Sequence, residues 1–227
     1  MINLKITLKY TIAFYCITML YMSLHELVHH FIAFLVCGEF GYKSFNSFDA
    51  ACESDYVYLF ATLSGPVFSY IMMYWGAYFI QKGKTLFKRH LGFAMVFAQL
   101  PMQRMTGPLM NMNDEWYAVV KLWGNSDTLW WIVIILIWSI CIPPLIVAWR
   151  AIQNKFKAIW FAFYFLFFPY LVCGPIFFLL EYLMLEKDIL SQTFIGIGAL
   201  FILNELVTIV AYLFLKKYID PAQNKLN

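Results

Sequence analysis

A succession of long apolar runs, joined by short polar links, limits this chain to few folds. The runs lie near residues 10–37, 56–80, 91–112, 128–149, 158–180 and 189–215. A transmembrane helix needs roughly 20 consecutive apolar residues, and these runs meet that length. A membrane β-barrel would instead alternate polar and apolar residues in strands of about ten. The runs are apolar all round, which predicts helices. Only 13% of the residues are charged and 63% are hydrophobic, whereas a soluble domain is about a quarter charged. The expected fold is therefore all-α and polytopic, with six transmembrane helices. No link is long enough for a separate domain, so a single membrane domain is expected over residues 1–227, with a core at 10–116 and accessory helices at 128–215. Lys5 and Lys9 precede the first run as they would in a signal peptide, but no small-residue cleavage site follows, so a retained helix is expected.

Basic residues alternate from link to link. Lys5 and Lys9, then Lys82, Lys84, Lys88 and Arg89, then Arg150, Lys155 and Lys157, then Lys216, Lys217 and Lys225 fall on one side. Lys43, Lys121 and Lys187 fall on the other, and Arg104 lies inside the third run. Cytoplasmic links collect Lys and Arg, so both termini are expected in the cytoplasm and the chain in the lipid bilayer. There is no basic stripe outside these links, hence no expected nucleic-acid partner.

Within the first run stands His25-Glu26-Leu27-Val28-His29. Residues four apart share one face of a helix, so both imidazoles can grip one metal ion. Glu26 can then take a proton from water on that metal, the arrangement of zinc-dependent peptidases. Ionisable groups inside a membrane span are costly and tend to be functional; three in five residues call for a shared purpose, and a Zn2+ ion supplies one. His30 extends the run toward the histidine boxes of di-iron membrane enzymes, but those need about eight histidines and this chain has four. His30 is expected near the metal without binding it, and His90 in a basic cytoplasmic link. Cys37 and Cys52 flank one loop and can pair in an oxidising compartment.

A catalytic zinc has three protein ligands and an open position. Asp114 is the expected third ligand. It follows Pro101, Gly107, Pro108, Asn111 and Asn113, and broken backbone at membrane depth is tolerated where it lines a cavity. Asn111 and Asn113 are placed to orient that carboxylate or to donate to an oxyanion. The rival third ligand is Glu205, beside Asn204 in the last run. Arg104 is expected to pair with an acid such as Glu205 or Asp114.

Over residues 11–116 the chain resembles the site-2 protease family of intramembrane metalloproteases. The resemblance is carried by HExxH at His25–His29 followed by Cys37-Gly38, by Ser64-Gly65-Pro66, and by Asn113-Asp114 at the end of the third run. Glu115 stands where the family has a glycine, and Ser69 near a frequent asparagine. The resemblance implies His25, His29 and Asp114 as zinc ligands and Glu26 as the general base. The substrate would be a transmembrane or membrane-associated protein or peptide, unwound so that a backbone carbonyl is free, with the loop from Gly38 to Asp55 as an edge for it. The alternative is a membrane transporter or metal-binding protein that uses the His/Glu cluster for ion binding.

Overall fold

The structure, a computed structural model, describes residues 2–4 and 7–219. Lys5 and Lys225 of the charge pattern lie outside the described residues. The first helix, α1 (Leu8–Cys37), begins at Thr7, whose hydroxyl accepts from Tyr10 N, and ends at Gly38 in the left-handed conformation (φ 78°). Glycine adopts that conformation without a Cβ clash, which makes it the usual helix stop. A π-helical turn, Val57–Ala61, leads into α2 (Thr62–Lys82), which carries Pro66 in its second turn. Next come α3 (Leu86–Ala98), the short α4 (Pro101–Thr106), a 3-10 turn at Pro108–Met110, and α5 (Asp114–Trp123). The remaining helices are α6 (Asp127–Ala151), α7 (Lys157–Ala162) with its π-helical continuation Phe163–Cys173, α8 (Gly174–Leu185) and α9 (Ala199–Leu215). Strands β1 (Thr193–Phe194) and β2 (Ile197–Gly198) form a small antiparallel hairpin before α9.

The chain is thus all-α and of the polytopic membrane type, but the expected count changes. Among the described residues five helices are long and apolar enough to cross a membrane: Leu8–Cys37, Val57–Lys82, Asp127–Ala151, Lys157–Leu185 and Ala199–Tyr218. The expected third span is not one helix. Proline disfavours helical backbone in the residue before it, and Leu100, before Pro101, is left-handed (φ 51°). Gly107-Pro108 and Asn111 (φ 55°) break the chain again. Two tryptophans of α6 cover the freed carbonyls: Trp130 donates to Pro108 O at 2.7 Å and Trp138 to Met105 O at 2.9 Å. Trp130 thereby braces the broken segment. Pro143 and Pro144 sit inside an uninterrupted α6.

Helix α1 lies at the centre, packed against α2, α3 and α9, and α2 also packs on α3 and α6. A Cβ at Gly76 would fall 2.6 Å from Gly92 O, and one at Gly92 2.5 Å from Gly76 O, so paired glycines set the close approach of α2 and α3. The sixth expected span is shorter than its apolar run. Gly196 (φ 77°) turns the hairpin and Gly198 caps α9.

The two ends of the molecule can be told apart by contact. Ile2 N donates to Ala151 O, Gln153 N to Ile2 O, and Tyr10 meets His90 edge-on at 6.5 Å. Lys9 Nζ lies 5.0 Å from the Tyr218 ring. The starts of α1 and α3 and the ends of α6 and α9 therefore share one face. The loop after α1 joins the hairpin at the opposite end, through Lys43 N to Gly196 O and Gly198 N to Lys43 O.

Candidate metal centre

His25 and His29 both lie on the buried face of α1. Their rings meet at right angles with centroids 4.5 Å apart, and the two Nε2 atoms are 3.0 Å apart. Asp114, the first residue of α5, brings Oδ2 to 3.2 Å from His25 Nε2 and 3.5 Å from His29 Nε2. One ligand atom from each lies within 4.8 Å of the other two, so the group can hold a metal ion. The broken segment makes this possible. A straight helix through 91–112 would carry Asp114 past the histidines, whereas the turns at Leu100 and Asn111 return it to them.

Each imidazole is held from its far side. His29 Nδ1–H donates to Ala61 O at 2.7 Å, where the π-helical turn meets α2. That hydrogen bond leaves His29 Nε2 as a bare electron pair, as a metal ligand requires. The His29 ring also stacks on Phe48 at 4.8 Å. His25 Nδ1 lies 3.1 Å from Ser69 Oγ and 2.9 Å from Arg104 Nη2. Gly65 lets α2 pass over the pair: a Cβ there would lie 2.6 Å from His25 Cε1 and closer still to His29 Nε2.

Arg104 pairs with neither Glu205 nor Asp114. Its Nη1 donates to Glu115 Oε1 at 3.4 Å, its Nε to Gln99 O at 3.2 Å and its Nη2 to Ser69 Oγ at 2.9 Å. Tyr70 OH donates to the same Glu115 oxygen. The Nη2 atom is 2.9 Å from His25 Nδ1 and 3.5 Å from Nε2, which places the guanidinium across the Cε1 edge of the ring. Glu115 thus neutralises a buried cation beside the candidate metal site.

Glu205 is not in the triad. Its Oε1 accepts from Ser23 Oγ at 2.7 Å and Asn204 Nδ2 at 3.0 Å, so the rival third ligand is a bridge between α1 and α9. His30 is turned away from the metal site as well. Its Nε2–H donates to Ile195 O at 2.9 Å and its ring stacks on Phe40, which ties α1 to the hairpin. His90 is buried in α3 rather than exposed in a basic link.

Glu26 Oε1 stands 4.0 Å from His25 Nε2. Two cavities, of about 380 Å³ and 360 Å³, meet here, and Glu26, Asn46, Asp114 and Tyr117 line both. The opening is on the carboxylate side, because the Asp114 side chain is 33% exposed and the His29 side chain 1%. Cys37 and Cys52 form a disulfide that ties the end of α1 to the loop carrying Asn46 and Phe48. Sequence reasoning named His25, His29 and Asp114, which could hold a metal ion, and it named Arg104 with acids other than Glu115; Gln99 it missed. The one available signal was an arginine inside an apolar run, which has to meet polar partners.

No family model matches this chain, and neither a curated protein nor a solved structure matches it.

Proposed function

We propose that this protein is a membrane-embedded zinc peptidase, with His25, His29 and Asp114 holding the metal and Glu26 as general base. One observation carries the reading: three Lewis-basic atoms converge at 3.0, 3.2 and 3.5 Å with a free carboxylate beside them. Four ligands in a tetrahedron around zinc at about 2.0–2.1 Å are separated by roughly 3.3 Å, so the triangle has the size that zinc needs. Two nitrogens and one carboxylate oxygen are also the donors of a catalytic rather than a structural zinc site. The resemblance to site-2 proteases names the same four residues.

Bound zinc supplies Lewis acidity to water and to a peptide carbonyl. Glu26 accepts the proton released as water attacks the carbonyl carbon, then returns it to the amine nitrogen as the C–N bond breaks. Ala61 keeps the His29 imidazole in the tautomer that binds metal. The two cavities on either side of Glu26 leave room for chain on both sides of the cleaved bond. The loop disulfide fits an oxidising compartment, and the basic residues gather at the opposite end. We therefore place both termini in the cytoplasm and the opening of the site on the far side.

The deciding experiment uses the purified full chain in proteoliposomes with a fluorogenic transmembrane peptide that has a Gly-Pro break at its centre. Glu26→Gln is expected to keep zinc and lose cleavage by roughly 10²–10⁴-fold. Undiminished cleavage by that variant would overturn the mechanism.

A further inference from the structure

Buried polar groups are almost always paired, and each exception calls for an explanation. Among the described residues, two amide nitrogens without a hydrogen-bond partner, Gln99 Nε2 and Asn113 Nδ2, belong to residues that line the same cavity beside the metal triad. Gln99 is only 3% exposed. It ends α3, before the turn at Leu100, while Asn113 immediately precedes Asp114. The amide of Asn113 is oriented by its other atom, since Oδ1 accepts from Trp116 N at 3.0 Å and caps α5. The nitrogen is therefore the end left to donate.

The backbone of Asn113 adds a second observation. At φ 121° and ψ 163° it occupies a region adopted almost solely by glycine. A glycine would sit there without strain, so the strained conformation is kept together with an asparagine side chain. Asn111, the other asparagine of the segment, is exposed and does not line this cavity. The nearby guanidinium of Arg104 is already committed to Ser69, Gln99 O and Glu115.

We propose that Gln99 and Asn113 form a cradle for the backbone of an unwound peptide: their amide nitrogens, shielded in the free protein, turn into the cavity that the two residues line and donate to substrate carbonyl oxygens, Asn113 next to the metal triad and Gln99 farther along. The proposal rests on the peptidase reading and deepens it. A helix that opens to be cut exposes carbonyls that have lost their N–H partners, and two unpaired amide donors supply replacements. Side-chain amides at these positions read backbone and not side chains, so the recognised class is an extended peptide of loose sequence preference.

Two ligands test this on the zinc-loaded full chain in detergent. Acetohydroxamate has the metal-binding head alone; a tripeptidyl hydroxamate adds backbone carbonyls. Wild type is expected to bind the peptidyl compound at least about tenfold more tightly. Gln99→Leu removes one donor without leaving a buried group unpaired. Asn113→Ser keeps an oxygen to cap α5 and replaces the amide donor by a shorter hydroxyl. Asn113→Gly relieves the backbone as well. Each is expected to lose several-fold of the peptide-specific gain, with zinc content and acetohydroxamate affinity unchanged. If the three variants keep the full gain, or wild type binds both compounds equally, the cradle is wrong and water fills the amides. Cleavage of the transmembrane peptide by wild type and its loss in Glu26→Gln are measured separately, so failure of the peptidase reading is told apart from failure of the cradle.

Discussion

Gly65 occupies the tightest position around the triad. Its missing side chain is the space that the two imidazoles fill, so Gly65→Ala pushes α2 and the rings apart. Changing the support around a metal ligand commonly costs 10–100-fold in affinity, and overpacking costs roughly 1–3 kcal/mol. A competition titration with a zinc chelator should show that loss, and wild-type affinity in the variant would mean the rings are not held as described. Lys43 offers a test of electrostatics away from the metal. Its side chain is fully buried, it donates to Ser44 O at 2.6 Å and its Nζ lies 4.0 Å from the Phe201 ring. Burial lowers its pKa from 10.5 to about 8, opposed by Glu26, Glu181 and Glu205. The unfolded chain therefore binds more protons between pH 8 and 10.5, and stability should rise with pH across that window. The cost of the buried charge is fully present below pH 8. The rise is on the order of 3 kcal/mol, and denaturation of detergent-purified protein should show it in wild type and not in Lys43→Met. Equal pH profiles for the two would contradict a charged, buried Lys43. The pairing of Arg104 with Glu115 was not legible from the sequence, because apolar content says that a charge is buried and nothing about which acid faces it.

Among elements, the spans that the sequence shows best are those where lipid alone dictates the outcome. The runs that became α1, α2 and α6 satisfy their own backbone and need only length and apolar surface. The run 91–112 has the same apolar content, but apolar content reports burial and not continuity. There the break at Pro101 and Gly107-Pro108 is stabilised by tryptophans more than twenty residues away in α6, beyond any local pattern. The hairpin before α9 escaped for a related reason, since two-residue strands leave no period to detect. It matters because the loop after α1 is held partly by that hairpin and partly by α8. Glu181 of α8 accepts from Ser44 Oγ and Phe45 N, both at 2.7 Å. Phe45 itself is buried against Phe177 and Phe201. Glu181→Ala removes two charge-assisted hydrogen bonds, each of about 1.5–3 kcal/mol. Hydrogen exchange should accelerate at Phe45 and its loop neighbours while amides in the middle of α1 and α2 stay protected. Unchanged protection in the loop would show that the disulfide and the hairpin suffice, and that the accessory helices have no part in shaping the site.

For the whole molecule, contacts sort the links into two faces independently of charge. The face that gathers the starts of α1 and α3 and the ends of α6 and α9 is also the one with Lys9, Arg89, Arg150 and Lys216. The other carries the only disulfide among the described residues. Positive residues favour the cytoplasm and disulfides persist outside it, so two unrelated physical rules support the orientation proposed above. In that proposal the broken segment from α3 to α5 forms a sixth, discontinuous passage beside the five membrane-length helices, with its irregular backbone turned to the cavity where water can reach it. A labelling experiment separates this orientation from its inverse. The free cysteines at 16, 141 and 173 are buried, so an impermeant maleimide should stay off them. After an impermeant reductant, intact cells should be labelled at Cys37 and Cys52, and sealed inverted vesicles should not. Lys84→Cys should show the opposite pattern, labelled in the vesicles and silent in the cells. Labelling of Lys84→Cys in intact cells would turn the protein over in the membrane. The metal site would then open to the cytoplasm, in a compartment that reduces the bond tying its loop to α1.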